Sequence, residues 1–283
     1  MSVPKVAAIH DLSGLGRCSL TAAIPILSAM GMQACPLPTA VLSNQTGFSS
    51  YTCVDMSRYI EKFVGEWKRL GVQFNGIYSG FLCNEQQVGQ VAHLIDDLRG
   101  QSTVVVVDPV LGDSGELYPV FHPHMCDAMQ TLIAKADIIT PNLTEACILT
   151  GRDYAVVAAD NDPECIWKIA EQLSEMGPKN VVITGIPIGA YIYNFGYSKL
   201  EHKQFSVKTR RMGTSYSGTG DILASILCGG VVRGDSLESA LETAAKLLEN
   251  AIADTYAEAT DPNEGIAFEN YLHLLIRKDG YIL

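Results

Sequence analysis

Short runs of valine and isoleucine, each followed by a longer stretch with helical spacing, recur along most of this chain and constrain its fold more than any other feature. The clearest run is 103–108, with valine at every position between Thr103 and Asp108. A run that is apolar on both sides suits a strand covered on both faces, as in a parallel sheet. Residues 5–9, 33–38, 76–80, 136–140 and 180–184 read as further strands. Helical spacing is predicted over 20–30, 56–70, 85–99, 123–135, 143–149 and 163–176. This strand–helix order predicts a mostly parallel sheet with helices on both faces. The pattern then changes. Residues 190–194 and 203–207 flank Phe195-Gly196-Tyr197-Ser198, which predicts an antiparallel hairpin turning at 195–198. Helices are predicted to follow over 221–227, 236–255 and 268–277. No Pro/Ser/Gly-rich linker, repeat or low-complexity segment divides the chain, so 1–283 reads as a single domain.

Composition narrows the function classes. Hydrophobic residues make up 47% and charged residues 18%, enough for a sizeable core and unlike a disordered chain. The net charge is −11 and no long Lys/Arg run is present, which argues against nucleic acid and anionic membranes as partners. An anionic substrate must therefore be held by local donors against an unfavourable overall field. The eight cysteines are scattered with no C-x-x-C pair, as expected of reduced thiols in a cytoplasmic protein. The first residues lack the basic and apolar segments of a signal peptide, and no apolar run is long enough to span a membrane.

In sheets of this kind ligands sit beyond the carboxyl ends of the strands. The polar residues there are His10 to Gly16, Asp108 to Asp113, Thr140 to Glu145, Thr184-Gly185 and, on the same edge, Gly218 to Asp221. Gly218-Thr219-Gly220-Asp221 runs straight into an apolar helical segment. Two glycines allow a sharp turn, and the helix adds unpaired N–H groups and the positive end of its dipole, a place for a phosphate. The Asp221 carboxylate would repel an anion, but it makes sense as the base for a nucleophile attacking that phosphate. The same four residues also suit an ordinary helix start with Asp in its first turn. Asp108, Asp113 and Glu145 form a loose acidic set, with Asp108 and Glu145 able to help hold Mg²⁺ through water. Taken singly, each is better accounted for by a strand-end turn or a helix N-cap.

Other motifs are weaker. Asp11 to Gly16 spells Gly-x-Gly without the third glycine of a dinucleotide fingerprint. His122-Pro123-His124-Met125-Cys126 has metal-like spacing but no second ligand cluster. Lys208, Arg210 and Arg211 suit either screening of a triphosphate or a charged strand edge. Neither a P-loop nor a Gly-x-Ser-x-Gly nucleophile elbow is present.

From Ile9 to about Thr255 the chain resembles the vitamin B6 (pyridoxal, pyridoxine, pyridoxamine) kinases of the ribokinase-like superfamily. The resemblance rests on Ser43-Asn44-Gln45-Thr46-Gly47-Phe48, Asp108-Pro109-Val110-Leu111-Gly112-Asp113, Ala136 to Asn142 with Glu145 at the family's offset, and Gly218-Thr219-Gly220-Asp221. It implies a ribokinase-like three-layer α/β/α sandwich and ATP-dependent phosphorylation of a vitamer's 5′-hydroxymethyl group. It makes Asp221 the base, and Gly218, Thr219 and Gly220 the donors to the transferring phosphate. Asp108 and Glu145 match positions near Mg²⁺ and the phosphates, and Asn142, Thr184 and Thr219 match contacts to ATP. Thr46 matches a contact to the pyridine substrate, with Asp11, Ser13 and Phe81 on the same side. A homodimer is implied, and a need for a monovalent cation such as K⁺ is left open.

Three departures bear on the alcohol rather than the reaction. The lid that begins at Asp113 is short, Ser114 to Tyr118. Phe81 stands after Gly80 where the family often has Tyr, so its ring can stack but has no hydroxyl to donate. The first loop, Asp11 to Arg17, is partly similar to that of hydroxymethylpyrimidine kinases. A hydroxymethylpyrimidine kinase is therefore the leading alternative. A sugar kinase fits residues 43–47 less well, and a B6-binding protein without catalysis fits poorly with an intact Asp221.

Overall fold

The all-valine run lies near the middle of a nine-stranded sheet in the computed structural model, which describes residues 3–160 and 162–277. The remaining positions of the 1–283 span lie outside the described residues. The elements run β1 (Lys5–Ser13), α1 (Ser19–Ala29), β2 (Gln33–Leu42), β3 (Cys53–Asp55), α2 (Ser57–Arg69), β4 (Gly76–Ser79), α3 (Glu85–Leu98) and β5 (Val104–Val107). A two-stranded ribbon, β6 (Gly112–Asp113) and β7 (Glu116–Leu117), precedes α4 (Pro123–Ile133), β8 (Ile138–Ile139), α5 (Leu143–Thr150), α6 (Tyr154–Asp160) and α7 (Pro163–Ser174). Then come β9 (Asn180–Ile188), β10 (Tyr191–Ser198), β11 (Lys203–Arg210), α8 (Thr219–Val232) and α9 (Leu237–Ala257), with 3-10 turns at Pro262–Glu264 and Phe268–Leu275.

The strand order is β11-β10-β9-β8-β5-β4-β1-β2-β3. The six strands from β9 to β2 are parallel, and the antiparallel strands β10, β11 and β3 close the two ends. Side chains on a strand alternate between faces. Val105 and Val107 enter the core beneath α2, α3, α4, α5 and α7, while Val106 enters the opposite core beneath α1, α8 and α9. Both cores are continuous, which is why a four-residue strand can be valine throughout. The architecture is the expected three-layer α/β/α sandwich with a mostly parallel sheet and an antiparallel hairpin.

Three expectations change. β1 runs on to Ser13, so Asp11 and Ser13 are strand residues rather than loop residues. Leu12 and Ser13 pair with Val41 and Leu42 of β2 after a bulge between His10 and Leu12. A bulge inserts an extra residue and re-aims the side chains beside it. The hairpin turns at 199–202, not at 195–198. Phe195 and Tyr197 point into the core, and the missing side chain of Gly196 leaves room for the Phe205 ring across the strand pair. The Gly there serves packing rather than a turn. The last predicted helix, 268–277, is a 3-10 segment. β3, the β6–β7 ribbon and α6 are additional elements that short, mixed sequences did not announce.

Candidate active site

Gly218 caps α8 in a left-handed conformation, φ 80° and ψ −1°. A side chain there would run into the carbonyl oxygen of Arg17, so both backbone shape and space demand glycine. The Gly218 carbonyl accepts from the N–H of Ile222 at 3.0 Å, the first turn of the helix. The N–H groups of Thr219, Gly220 and Asp221 precede that bond and have no intrahelical acceptor, leaving donors at the positive end of the helix dipole. The Thr219 hydroxyl is turned back onto the carbonyl of Tyr216 at 3.1 Å.

Asp221 stands in the first turn of α8 with 14% of its side chain exposed, into a cleft. Burial is the main cause that pushes its carboxyl up to about 8, with the Asp108 charge adding to it and the Ser19 N–H opposing it. Ser19 has φ +48°, a strained value for a non-glycine residue that aims this N–H at the carboxylate. His10 Nδ1 lies 3.7 Å from Asp221 Oδ1. The His10 ring is fully buried, packs edge-on against Tyr78 with centroids 4.2 Å apart, and is held near pH 3 by desolvation, so it is neutral. A side chain on Gly80 would collide with this ring. His10 opens one of the strand-end polar segments, but the local sequence gives neither it nor Ser19 a role, because nothing local shows that the His10 ring backs onto a helix two hundred residues away.

A carboxylate pair, Asp108 and Glu145, lies nearby. Asp108 follows β5, accepts from the Thr140 hydroxyl at 3.0 Å through Oδ1, and is pushed by burial up to about 7. A side chain on Gly220 would come to 3.8 Å from Asp108 Oδ2, so that oxygen faces the start of α8. Glu145 is buried and its pKa is raised by desolvation and by the Asp108 charge. Both its oxygens accept backbone N–H groups, from Leu111 at 3.1 Å and from Asn142 at 2.8 Å. Asn142 completes a capping box for α5 by accepting from the Glu145 N–H, and its amide donates to Gly112 at 2.8 Å. Thr184 bridges to Asn142 across the strand ends. Among the described residues no group of three or more Asp, Glu, His or Cys side chains could enclose a metal ion. A Mg²⁺ held by one or two carboxylates plus water and phosphate oxygens needs no such cage, and Asp108 Oδ2 is the acid oxygen that fits.

Opposite Asp221 is a cleft of about 560 Å³ that brings Asp11, Ser13, Thr46, Phe81, Gly218 and Asp221 together. Thr219, Gly220, Asp108, Asn142, Glu145 and Thr184 do not line it: Thr219 and Gly220 open α8, Asn142 and Glu145 stand at the start of α5, Asp108 follows β5 and Thr184 belongs to β9. The cleft and the open start of α8 thus meet at Asp221. Phe81 packs on Phe121, centroids 5.8 Å apart, as part of an apolar wall with Val110 and Tyr118. The loop carrying Thr46 is fixed by Gln45, whose amide donates to the Asn263 carbonyl and side chain at 3.1 Å. The segment from Asp113, where the resemblance implies a lid, forms the β6–β7 ribbon, turning through Ser114 and Gly115, with the Gly115 N–H donating to Thr144 at 2.9 Å. Lys208 lies over Tyr191 at 4.6 Å on the edge strand, where its charge covers an aromatic face.

An α/β/α sandwich with a glycine-shaped helix start, an aspartate at that start and a second acid at the neighbouring strand end defines a ribokinase-like small-molecule kinase. The phosphomethylpyrimidine kinase family model matches residues 18–266, and the chain belongs to that family. A structure from Bacteroides thetaiotaomicron VPI-5482, described as a phosphomethylpyrimidine kinase and solved with pyridoxal, is 42% identical with a TM-score of 0.92, covering 97% of this chain and 96% of that one. Pyridoxal kinase from Lactobacillus plantarum is 31% identical with a TM-score of 0.86, covering 97% of each chain. Pyridoxal kinase of Dictyostelium discoideum is 30% identical over 270 residues, 89% of this chain and 87% of the relative. The chain is a kinase, as the sequence led us to expect.

Proposed function

We propose that this protein transfers the γ-phosphoryl group of ATP to the 5′-hydroxymethyl group of a vitamin B6 vitamer, working as a single kinase domain. The observation that carries the reading is Asp221 at the junction of an aromatic-walled cleft and an open helix N-terminus. The vitamer ring packs against Phe81, with Thr46, Ser13 and Asp11 offering polar contacts. Its hydroxymethyl oxygen faces Asp221, which takes the proton as that oxygen forms a bond to phosphorus and the bond to the ADP oxygen breaks. The N–H groups of Thr219 and Gly220, set by Gly218, hold the transferring oxygens as charge spreads over them. Asn142 and Thr184 sit where the rest of the triphosphate passes. Mg²⁺, when bound, offsets charge between the phosphates. Asp108 Oδ2 would hold it, and Glu145 would act through water while it fixes the Leu111 and Asn142 backbone. Positioning and electrostatics supply most of the acceleration in such chemistry.

A cytoplasmic location belongs to the same reading; all eight cysteines are free thiols. No helix among the described residues is long and apolar enough to cross a membrane. A homodimer, as the resemblance implies, is part of this proposal.

A hydroxymethylpyrimidine kinase is the second reading, favoured by the matched family and by a Bacillus subtilis (strain 168) hydroxymethylpyrimidine/phosphomethylpyrimidine kinase 28% identical over 188 residues. Turnover measured side by side on pyridoxal, pyridoxamine, pyridoxine and hydroxymethylpyrimidine decides between them. The vitamers are expected to win, and efficient use of the pyrimidine alone would overturn the first reading.

A further inference from the structure

The acceptor cleft carries charge of one sign. Asp11, Asp113 and Asp221 line it, and among the described residues no lysine, arginine or histidine does. His10, close behind Asp221, is neutral. Two of the three acids are spoken for: Asp221 receives the proton, and Asp113 is exposed at the rim where the ribbon begins. Asp11 has neither role. It is only 5% exposed, and its Oδ2 accepts from the Ser13 hydroxyl at 2.8 Å. The bulge in β1 sets its direction. A carboxylate buried with hydroxyl partners but no cation is only partly compensated, and a ligand that brings a positive charge supplies what is missing. The facing wall of Phe81, Val110 and Tyr118 is apolar, so the ligand that satisfies both sides is a flat ring bearing a cationic substituent.

Resting on the vitamin B6 reading above, we propose that Asp11 makes the cleft choose its alcohol by charge, favouring the acceptor with a protonated primary amine, pyridoxamine. The three vitamers share one ring and one hydroxymethyl target and differ in a single substituent: an aldehyde, a second hydroxymethyl group or an aminomethyl group. They therefore isolate the effect of that charge. Electrostatic complementarity of this kind acts on selection between ligands more than on the chemical step.

The test is steady-state kinetics of the full chain at saturating ATP with each vitamer, for the native protein, Asp11→Asn and Asp11→Glu. In the native protein kcat/KM for pyridoxamine should exceed that for pyridoxine by roughly tenfold or more, the scale of one buried charge contact. Asp11→Asn should collapse that ratio towards one, chiefly through a higher KM for pyridoxamine, and Asp11→Glu should restore part of it. An equal loss for all three vitamers in Asp11→Asn overturns the proposal, because it marks a merely structural role. Turnover of all three by the native protein with no preference for the amine also overturns it, whether or not the variants fold, and leaves the vitamin B6 reading standing. Turnover of none of them overturns that reading and the charge selection together.

Discussion

The two regions that meet at Asp221 are built in different ways. The one we assign to the phosphates, here the phosphate side, is made mostly of backbone: Gly218 in a left-handed turn, N–H groups at the start of α8, and strand ends that bring Asp108 and Asn142 alongside. The acceptor side is made of side chains from separate segments: Asp11 on β1, Thr46 on a loop, Phe81 after β4 and Tyr118 after the ribbon. Backbone geometry tolerates little change, so the phosphate side specifies a reaction. Side chains can be exchanged singly, so the acceptor side specifies which molecule undergoes it. A substitution on the first side should therefore lower kcat for every acceptor, and one on the second should re-rank acceptors.

The largest effect is expected at Asp221. Asp221→Ala should lower kcat about a thousandfold or more, with a modest change in ATP affinity, because the proton acceptor is lost while the helix start remains. Near-normal turnover in rapid-quench assays would falsify the assignment. Gly218→Ala comes next. Its methyl group meets the Arg17 carbonyl and its φ becomes strained, so kcat should fall about a hundredfold, with roughly 2–4 kcal/mol of stability lost in denaturant titrations. An alanine variant with native activity would break the claim that backbone shape governs this side.

Asp108→Asn should cost a factor of about ten to a hundred in kcat and raise the Mg²⁺ concentration needed for half-activity. It also has a signed effect on pH dependence. The base form of Asp221 is lost as pH falls through a value near 8 in the free protein. The negative charge of Asp108 contributes to that elevation, so its removal lowers the Asp221 pKa. The acid limb of kcat/KM should then move to lower pH. A limb that stays in place or moves up contradicts the coupling. The smallest effect belongs to the acceptor wall. Phe81→Ala should raise KM for the ring-bearing acceptor roughly tenfold while leaving KM for ATP near its native value. Equal changes in both constants would erase the distinction between the two sides.

The same contrast explains what could be read from the chain before folding. The six parallel strands and most helices were legible because a strand covered on both faces must be apolar throughout, as at 104–107. Gly218 to Asp221 was legible because a tight turn into a helix leaves a local signature. The hairpin turn was misplaced because Gly196 looks like a turn residue, whereas its partner across the strand pair, Phe205, explains it. That partner is nine residues away in a register the sequence does not print. The extension of β1 was hidden for a related reason: Asp11 and Ser13 are polar because they border the cleft, and polar residues ordinarily signal the end of a strand. The roles of His10 and Ser19 were not legible because their importance lies in facing Asp221, a relation made only by the fold. Gln45 and Asn263 hold the Thr46 loop through a contact between distant segments, with no local pattern to reveal it.

The fit between Gly218 and the Arg17 carbonyl has a consequence for the order in which this protein comes to life. The two residues are separated by most of the chain, and long-range contacts of this kind form late because closing a large loop is entropically slow. Until residue 17 settles against residue 218 the helix start is not shaped and Ser19 is not aimed at Asp221. On the proposed function, a chain in which that contact has not formed lacks the shaped helix start that the phosphate needs. On that same proposal, the first appearance of activity in a refolding experiment should coincide with the docking of the amino-terminal loop onto α8.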